Sequence, residues 1–306
     1  MRFAIIGAGA VASIHAAGLE SAGATITSVC DASLNRAEAF AHRFSIERAT
    51  VQIDEALDGA EAAIIATPTD LHFSHAVHAL EHGLHVLVEV PPCGSQDQAR
   101  ALIQTAENRK RILQCAHTSR YLEPYRVIKR WLEENRLGAI RQIHYVRFLK
   151  PARRDWVDDA LLHHAMHPVD ALFYWFDDLR PCGGAGSPLD KPFSDICLVA
   201  RVQNDAPVSI SISYSSVMPQ FRLTLVGEKH TVVAHGFESI ESDDASMSWI
   251  GNAAAVYPEA IAAQDRDFLK ACAGGGQAFR WTETARILEC IDRFKLLCAG
   301  SPPYQS

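Results

Sequence analysis

The feature that most constrains this chain is a glycine-rich segment close to its N-terminus. It directly follows a short apolar run, residues 2–7, and it leads into a helical pattern. The spacing Gly-x-Gly-x-x-Ala is typical of a strand–turn–helix unit that binds a dinucleotide. The first glycine permits the tight turn, the second lets the backbone approach a pyrophosphate, and the alanine allows close packing of helix on strand. We therefore predict cofactor contacts from Gly7, Gly9, Ala10, Val11 and Ala12.

The second predicted strand, residues 25–30, ends in a carboxylate. Asp31 lies 19 residues beyond Ala12, where an acidic side chain accepts hydrogen bonds from the ribose hydroxyls of a dinucleotide. Its charge would repel a 2′-phosphate, so we expect NAD as the cofactor. Arg36 follows five residues later and could pair with that phosphate, so NADP stays an alternative.

Short apolar segments alternate with helical segments over the first part of the chain. This alternation is typical of a parallel sheet with helices on both faces. Beyond about residue 117 the pattern changes to strands with alternating apolar and polar residues, as in an antiparallel sheet. The predicted fold class is α/β, with an N-terminal Rossmann dinucleotide-binding domain over residues 1–117. A C-terminal α+β domain with an open antiparallel sheet follows over residues 118–306, for substrate binding and oligomerisation.

Composition and charge argue against several classes of protein. Of the 306 residues 48% are hydrophobic and 21% charged, the mix of a chain that buries a core rather than one that stays disordered. A net charge of −7 argues against nucleic acid as a partner. We also expect no membrane span and no signal peptide, because long apolar runs and a basic leader are absent from the sequence. The eight cysteines form no Cys-x-x-Cys pair and are predicted to be reduced thiols in a cytoplasmic protein.

Several further motifs occur in order and at regular spacings. They are Gly9-x-x-Ala12-x-x-His15, Ala66-Thr67-Pro68 with His72, Gly83-Leu-His85-Val-Leu-Val-Glu89-Val-Pro91, and Arg120-Tyr121-Leu-Glu-Pro124. In this combination the chain resembles the glucose–fructose oxidoreductase/inositol dehydrogenase family, often called Gfo/Idh/MocA. The resemblance implies an NAD(P)-dependent oxidoreductase that acts on a small-molecule substrate and forms a homo-oligomer through its second sheet. It also implies that Ala66, Thr67, Pro68 and His72 line the dinucleotide and that Glu89 lies beside the nicotinamide ribose.

Two departures from the family pattern bear on the chemistry. Members of the family carry Glu-Lys-Pro, whose lysine relays a proton, whereas this chain has Glu89-Val90-Pro91 and no lysine before Lys110. The family's Asp-x-Gly-x-His segment retains its histidine as His167, but His163 stands in place of the aspartate.

The histidine pair leaves three interpretations open. On an α-helix His163 and His167 would lie on one face, with His164 turned about 100° away. An imidazole titrates near neutrality, so we predict His167 as the acid/base and His163 as a residue that orients the substrate. No metal is expected, although the pair could hold zinc with a third ligand from elsewhere, and purely structural histidines are the third interpretation. Substrate contacts are predicted for Arg120, Tyr121, Arg153, Arg154 and His164.

The sequence thus favours hydride transfer to or from a small polar carbonyl, imine or alcohol. The altered motifs keep two alternatives open. One is different chemistry on the same fold, an elimination, hydrolysis or cyclisation with or without a metal at His163 and His167. The other is a non-catalytic sensor that binds a dinucleotide.

Overall fold

The computed structural model of the chain describes residues 1–151, 159–188, 192–275 and 281–299. These residues form two compact units. The first contains Met1–Thr118 together with Pro258–Ala285, and the second contains Ser119–Tyr257 and the chain from Arg286 onward. The unit that begins at Met1 therefore includes a C-terminal segment that the sequence division placed in residues 118–306.

The helices and strands follow one another along the described residues. Their bounds are β1 Arg2–Ile6, α1 Ala10–Ser21, β2 Thr25–Cys30, α2 Leu34–Arg43, β3 Arg48–Thr50, α3 Ile53–Leu57, β4 Ala62–Ile65, α4 His72–Glu81, β5 His85–Val88, α5 Gln96–Arg109, β6 Leu113–Cys115, α6 Glu123–Glu133, β7 Ile140–Phe148, α7 Met166–Phe176, β8 Arg180–Ser187, β9 Asp195–Val202, β10 Ala206–Ser213, β11 Gln220–Gly227, β12 Thr231–His235, β13 Ser239–Ser242, β14 Trp249–Ile250, α8 Ala253–Cys272 and α9 Trp281–Ala299. No helix of the described residues combines the length and apolar character needed to cross a bilayer.

The first unit is built on a parallel sheet with the strand order β3-β2-β1-β4-β5-β6. The strands read as continuous apolar runs because helices cover both faces, and Phe3, Ile5, Ile64 and Leu87 are completely buried. The chain adds β2 and β3 on one side of β1 and then β4, β5 and β6 on the other. The carboxyl end of β1 therefore lies at the switch in strand order, where ligands bind in open α/β sheets.

The second unit contains a larger sheet with the order β14-β13-β12-β11-β7-β10-β9-β8. The predicted α/β class with a second sheet is confirmed, but this sheet is mixed rather than purely antiparallel. Strands β7 and β10 pair in parallel, while the other neighbours are antiparallel. Because α7 and the β8–β9 hairpin intervene between β7 and β10, the chain re-enters the sheet in the same direction.

Helix α8 supplies part of the core of the first unit. The ring of Phe268 contacts the ring of Phe3 edge-on, with centroids 6.2 Å apart, and both side chains are completely buried. Helix α1 approaches α8 closely at Gly18, where an added Cβ would lie 3.1 Å from the Cα of Ala262 and 2.9 Å from a carboxylate oxygen of Asp265. Only a residue without a side chain permits this approach.

The packing of α8 can be tested by removing the Phe268 ring. We expect Phe268→Ala to lower the free energy of unfolding by about 3–5 kcal/mol, the usual cost of emptying a buried aromatic site. The matched control is Leu296→Ala, whose side chain is 74% exposed and whose loss should cost less than about 0.5 kcal/mol. Urea unfolding followed by circular dichroism measures both, and equal stabilities of the two variants would contradict the packing described.

Candidate active site

The glycine-rich turn after β1 is held tightly between two neighbouring strands. The N–H of Gly7 donates to the carbonyl of Cys30 at 2.7 Å. Gly7 has φ of +103°, and a Cβ built on it would lie 2.4 Å from the carbonyl oxygen of Ala66. Both the backbone angle and the space therefore require glycine, as the sequence pattern predicts. Ala12 is completely buried, in agreement with the small residue expected beneath the helix.

Gly9 stands in a different environment, at the start of α1. It is exposed, and no atom lies within 4 Å of a Cβ placed on it. No side chain caps the first turn of α1, so the N–H groups there are available to a ligand. A helix N-terminus with open backbone in front of it suits a pyrophosphate, which accepts these hydrogen bonds and meets the positive end of the helix dipole. The residues present fit a dinucleotide.

Asp31 joins this turn to the end of β2. Its carboxylate accepts hydrogen bonds from the N–H of Ala8 at 3.0 Å and of Ser33 at 2.9 Å. The guanidinium of Arg36 lies 2.7 Å from the same carboxylate. Partial burial would raise the pKa of Asp31, but these hydrogen bonds and the arginine charge outweigh it and lower the pKa below its usual value. The group is therefore ionised at neutral pH, ready to accept hydrogen bonds from a ribose.

His72 connects the two loops that follow β4 and β5. Its Nδ1 lies 2.7 Å from the carbonyl oxygen of Pro91, and its Nε2 lies 2.7 Å from that of Thr67. The imidazole is only 2% exposed. This places His72 behind the predicted cofactor loop Ala66–Pro68, where it holds the backbone in position.

Glu89 takes part in a buried chain of three titratable groups. Its Oε1 lies 2.9 Å from the Nε2 of His15, and the Nδ1 of His15 lies 2.8 Å from the carboxylate of Asp265. His15 and Asp265 are completely buried, and Glu89 is 8% exposed. The chain joins α1, the end of β5 and α8, all within the first unit.

The protonation of this triad follows from its geometry. Burial by itself lowers the pKa of His15, but the charges and hydrogen bonds of Asp265 and Glu89 outweigh it and raise that pKa to about 10. Burial also raises the pKa of the Asp265 carboxyl. Two hydrogen bonds between three groups need two protons, whether the imidazole holds both or one carboxyl holds one. In either distribution the triad carries a net charge of −1 at neutral pH.

In the second unit a π-helical turn precedes α7, and three histidines lie in these two elements. Residues Ala160–His164 form this turn, and the N–H of Ala165 donates to the carbonyl of Ala160 across five residues. The carboxylate of Asp159 caps the turn by accepting from the N–H of Leu161 at 2.8 Å. The sequence predicts one helix over 159–176, and the structure divides this stretch into a π turn and an α-helix. Such turns are frequent at functional sites.

The imidazoles of His163, His164 and His167 lie close together where the π turn meets α7. The ring centroids of His163 and His167 are 6.3 Å apart, and the ring of His164 lies 4.5 Å from the first and 6.0 Å from the second. His164, expected to face away, therefore belongs to the same cluster. It is buried, and its Nδ1 lies 2.7 Å from the hydroxyl of Tyr214. His163 and His167 are half-buried.

The other predicted substrate residues differ in their surroundings. Arg120 forms an ion pair with Asp170, with Nε 2.7 Å from the carboxylate, and both side chains are largely buried. Tyr121 is half-buried. Arg153 and Arg154 lie outside the described residues. The roles assigned to these four residues stay predictions.

Sequence reasoning missed Asp265 as a partner of Glu89. The two residues come from distant parts of the chain, and no motif surrounds Asp265. A weak signal was present in His15, a histidine one helical turn after Ala12 on the buried side of α1. A buried histidine needs hydrogen-bond partners, but the sequence does not say which carboxylates supply them.

Comparison with known proteins agrees with this geometry. Residues 1–117 match the Gfo/Idh/MocA family, described as an oxidoreductase family with an NAD-binding Rossmann fold. A 4-carboxy-2-hydroxymuconate-6-semialdehyde dehydrogenase from Sphingobium sp. is 25% identical over 95% of this chain and 95% of its own length. Glucose-6-phosphate 3-dehydrogenase from Bacillus subtilis is 31% identical over 58% of this chain and 54% of its own.

A solved structure is similar over almost the whole length. It is an oxidoreductase from Agrobacterium radiobacter in complex with NAD+, L-tartaric acid and magnesium. It superposes with a TM-score of 0.81, covers 98% of this chain and 96% of its own, and is 17% identical. At this identity the likeness establishes the fold.

The two glycines of the turn should respond differently to alanine. Gly7→Ala should lower the free energy of unfolding without cofactor by about 1–3 kcal/mol, because a positive φ and a backbone contact oppose the methyl group. Gly9→Ala should leave that stability unchanged but lower the affinity for NAD, since its methyl group would stand where a pyrophosphate approaches. Thermal unfolding without NAD and calorimetric titration with NAD separate the two effects. A Gly9→Ala variant with wild-type affinity would contradict the phosphate position.

The raised pKa of His15 predicts a dependence of stability on alkaline pH. The pKa rises from 6.5 to about 10 on folding, so the stabilisation is fully present below about pH 6.5 and is lost as the pH rises toward 10. Asp265→Asn removes one of the two charges that raise this pKa. We expect the free energy of unfolding, measured with urea between about pH 7 and 10, to fall more steeply for the wild type than for this variant. Parallel curves would show that the triad does not hold the extra proton.

Proposed function

Because residues 1–117 match the Gfo/Idh/MocA family of NAD-binding oxidoreductases, we propose that this chain transfers hydride between NAD and a small polar alcohol, carbonyl or imine. The first unit supplies the cofactor site. The N–H groups at the start of α1 bind the pyrophosphate, and Asp31 accepts hydrogen bonds from the adenosine ribose. When bound, the nicotinamide supplies or accepts the hydride.

We assign the proton transfer to His167, with His163 orienting the substrate. The observation that carries this assignment is the cluster of three imidazoles at the π turn. Val90, at the position of the family's lysine, has no group that can hold a proton. An imidazole can donate or accept a proton near neutral pH, which alcohol oxidation and carbonyl reduction both require. The hydrogen bond between Tyr214 and the Nδ1 of His164 fixes the orientation of the third ring.

The names of the relatives suggest the class of substrate. One acts on a sugar phosphate and another on a carboxylated semialdehyde, and both are dehydrogenases. We propose a polyhydroxylated or carboxylated small molecule as substrate here. Arg153 and Arg154 would contact an anionic group of such a molecule. A cytoplasmic location and a homo-oligomer formed through the second sheet stay predictions.

The activity can be found by a substrate panel. The purified protein would be incubated with NAD and sugars, sugar phosphates, cyclitols and carboxylated aldehydes, and reduction of NAD followed by its absorbance. We expect turnover with at least one member of these classes. Tight binding of NAD without turnover on any of them would overturn the proposed hydride transfer and favour the sensor interpretation.

The role of His167 can then be tested on the active substrate. His167→Gln should lower turnover by about 10²–10⁴-fold, the usual contribution of a general acid or base, while the affinity for NAD stays at the wild-type value. The matched control is His235→Gln, an exposed histidine of the same unit that pairs with Glu241. If both variants retained equal turnover, His167 would have no part in the chemistry.

A further inference from the structure

A second group of histidines lies on the outside of the first unit, apart from the residues assigned to the cofactor. His78 is in the last turn of α4, and His82 caps the end of that helix. Asp54 is in the first turn of α3. One ligand atom of each side chain lies within 4.8 Å of the other two. Both imidazole side chains are 35% exposed, and the Asp54 side chain is 69% exposed, so ions in solution reach the group.

The two histidines are four residues apart, which places their rings on one face of the helix. Their ring centroids are 4.5 Å apart. One carboxylate oxygen of Asp54, Oδ1, lies 2.6 Å from the Nε2 of His78 and 3.2 Å from the Nε2 of His82. Two imidazole nitrogens and one carboxylate oxygen therefore converge on a single point between α3 and α4.

The orientation of the His82 ring shows which of its two nitrogens carries a hydrogen. Its Nδ1 lies 3.0 Å from the carbonyl oxygen of His78, and because a carbonyl can only accept, Nδ1 carries the hydrogen. In the neutral imidazole Nε2 then has a lone pair, which faces the lone pairs of Asp54. This arrangement is favourable only when a positive charge lies between the two atoms, either a proton on Nε2 or a metal ion.

We propose that Asp54, His78 and His82 form a binding site for a divalent transition metal, with zinc as the ion that best suits two nitrogens and one oxygen. The contact from His82 to the helix backbone is the kind of second hydrogen bond that fixes metal-ligating imidazoles in the required tautomer. The negative end of the α4 dipole, at the C-terminus of the helix, also attracts a cation. A water molecule completes a tetrahedral site, since the group is open to solvent.

The bound ion would join α3 to α4. Its binding also requires the ligating nitrogen of each imidazole to be deprotonated, so affinity falls as the solution becomes more acidic. Magnesium should bind much more weakly, because it prefers oxygen ligands. The site does not depend on the hydride-transfer proposal, since it uses none of the same residues.

The test is a zinc titration of the full chain, followed by calorimetry, at about pH 7.5 and about pH 5.5. The exposed thiols of Cys182 and Cys197 could also bind zinc, so both are replaced by serine in every protein compared. Relative to this background, His82→Ala and Asp54→Asn should each lower the affinity of one site at least about tenfold. His235→Ala, which removes an exposed histidine of the second unit, should leave that site unchanged.

A second measurement locates the ion without a substitution. Zinc should protect His78 and His82 from modification by diethylpyrocarbonate, read by mass spectrometry of peptides, while His235 stays reactive. Circular dichroism confirms that the variants are folded. Equal modification with and without zinc, or equal zinc affinity in the background protein and both variants, would overturn the site and leave Asp54 as a partner of protonated histidines only.

Discussion

The hydrogen bonds of the His15 imidazole join three parts of the first unit. They connect α1, which presents its N-terminus at the switch in strand order, with Glu89 at the end of β5 and Asp265 on α8. His15, Glu89 and Asp265 are all buried, so their hydrogen bonds form away from competing water. If one of these hydrogen bonds were lost, a buried polar group would have neither a partner nor solvent. The absence of a side chain at Gly18 is what lets α8 approach closely enough for Asp265 to reach the ring. The position of α1, whose N-terminus we propose to bind the pyrophosphate, thus depends on a segment near the other end of the chain.

The space around each glycine also shapes the proposed cofactor loop, the turn between β1 and α1. Gly7 is required by a neighbouring backbone atom, whereas Gly9 is surrounded by open space, so two glycines of one motif serve different purposes. The carboxylate of Asp31 accepts a hydrogen bond from the N–H of Ala8 in this loop and forms an ion pair with Arg36. These contacts lower the pKa of Asp31 and keep it ionised. Arg36 is thus already paired with Asp31, which reduces the charge it could offer a 2′-phosphate. This arrangement agrees with the NAD-binding Rossmann fold of the family that residues 1–117 match.

In the second unit a local change of helix type lies beside the cluster of three imidazoles. The π turn, Ala160–His164, ends where α7 begins, and the ring of His164 lies 4.5 Å from that of His163 and 6.0 Å from that of His167. The buried neighbour Tyr214 then fixes that ring by a hydrogen bond. Valine at position 90 has no group that can hold a proton, which is why we propose proton transfer from this cluster.

The sequence by itself determined the α/β class, the glycine-rich turn, five of the six strands of the first sheet and the resemblance of residues 1–117 to the family, but it did not predict β3. These follow from local rules, because a positive φ at Gly7, apolar runs between helices and short motifs at regular spacing are readable from neighbouring residues. Tertiary structure alone decided that α8 completes the first unit, that β7 and β10 pair in parallel, and that Asp265 and Glu89 share His15. It also decided the π turn and the meeting of Asp54 with His78 and His82. Contacts between residues far apart in the chain depend on how whole elements pack, and a helix pattern does not specify whether one turn contains an extra residue.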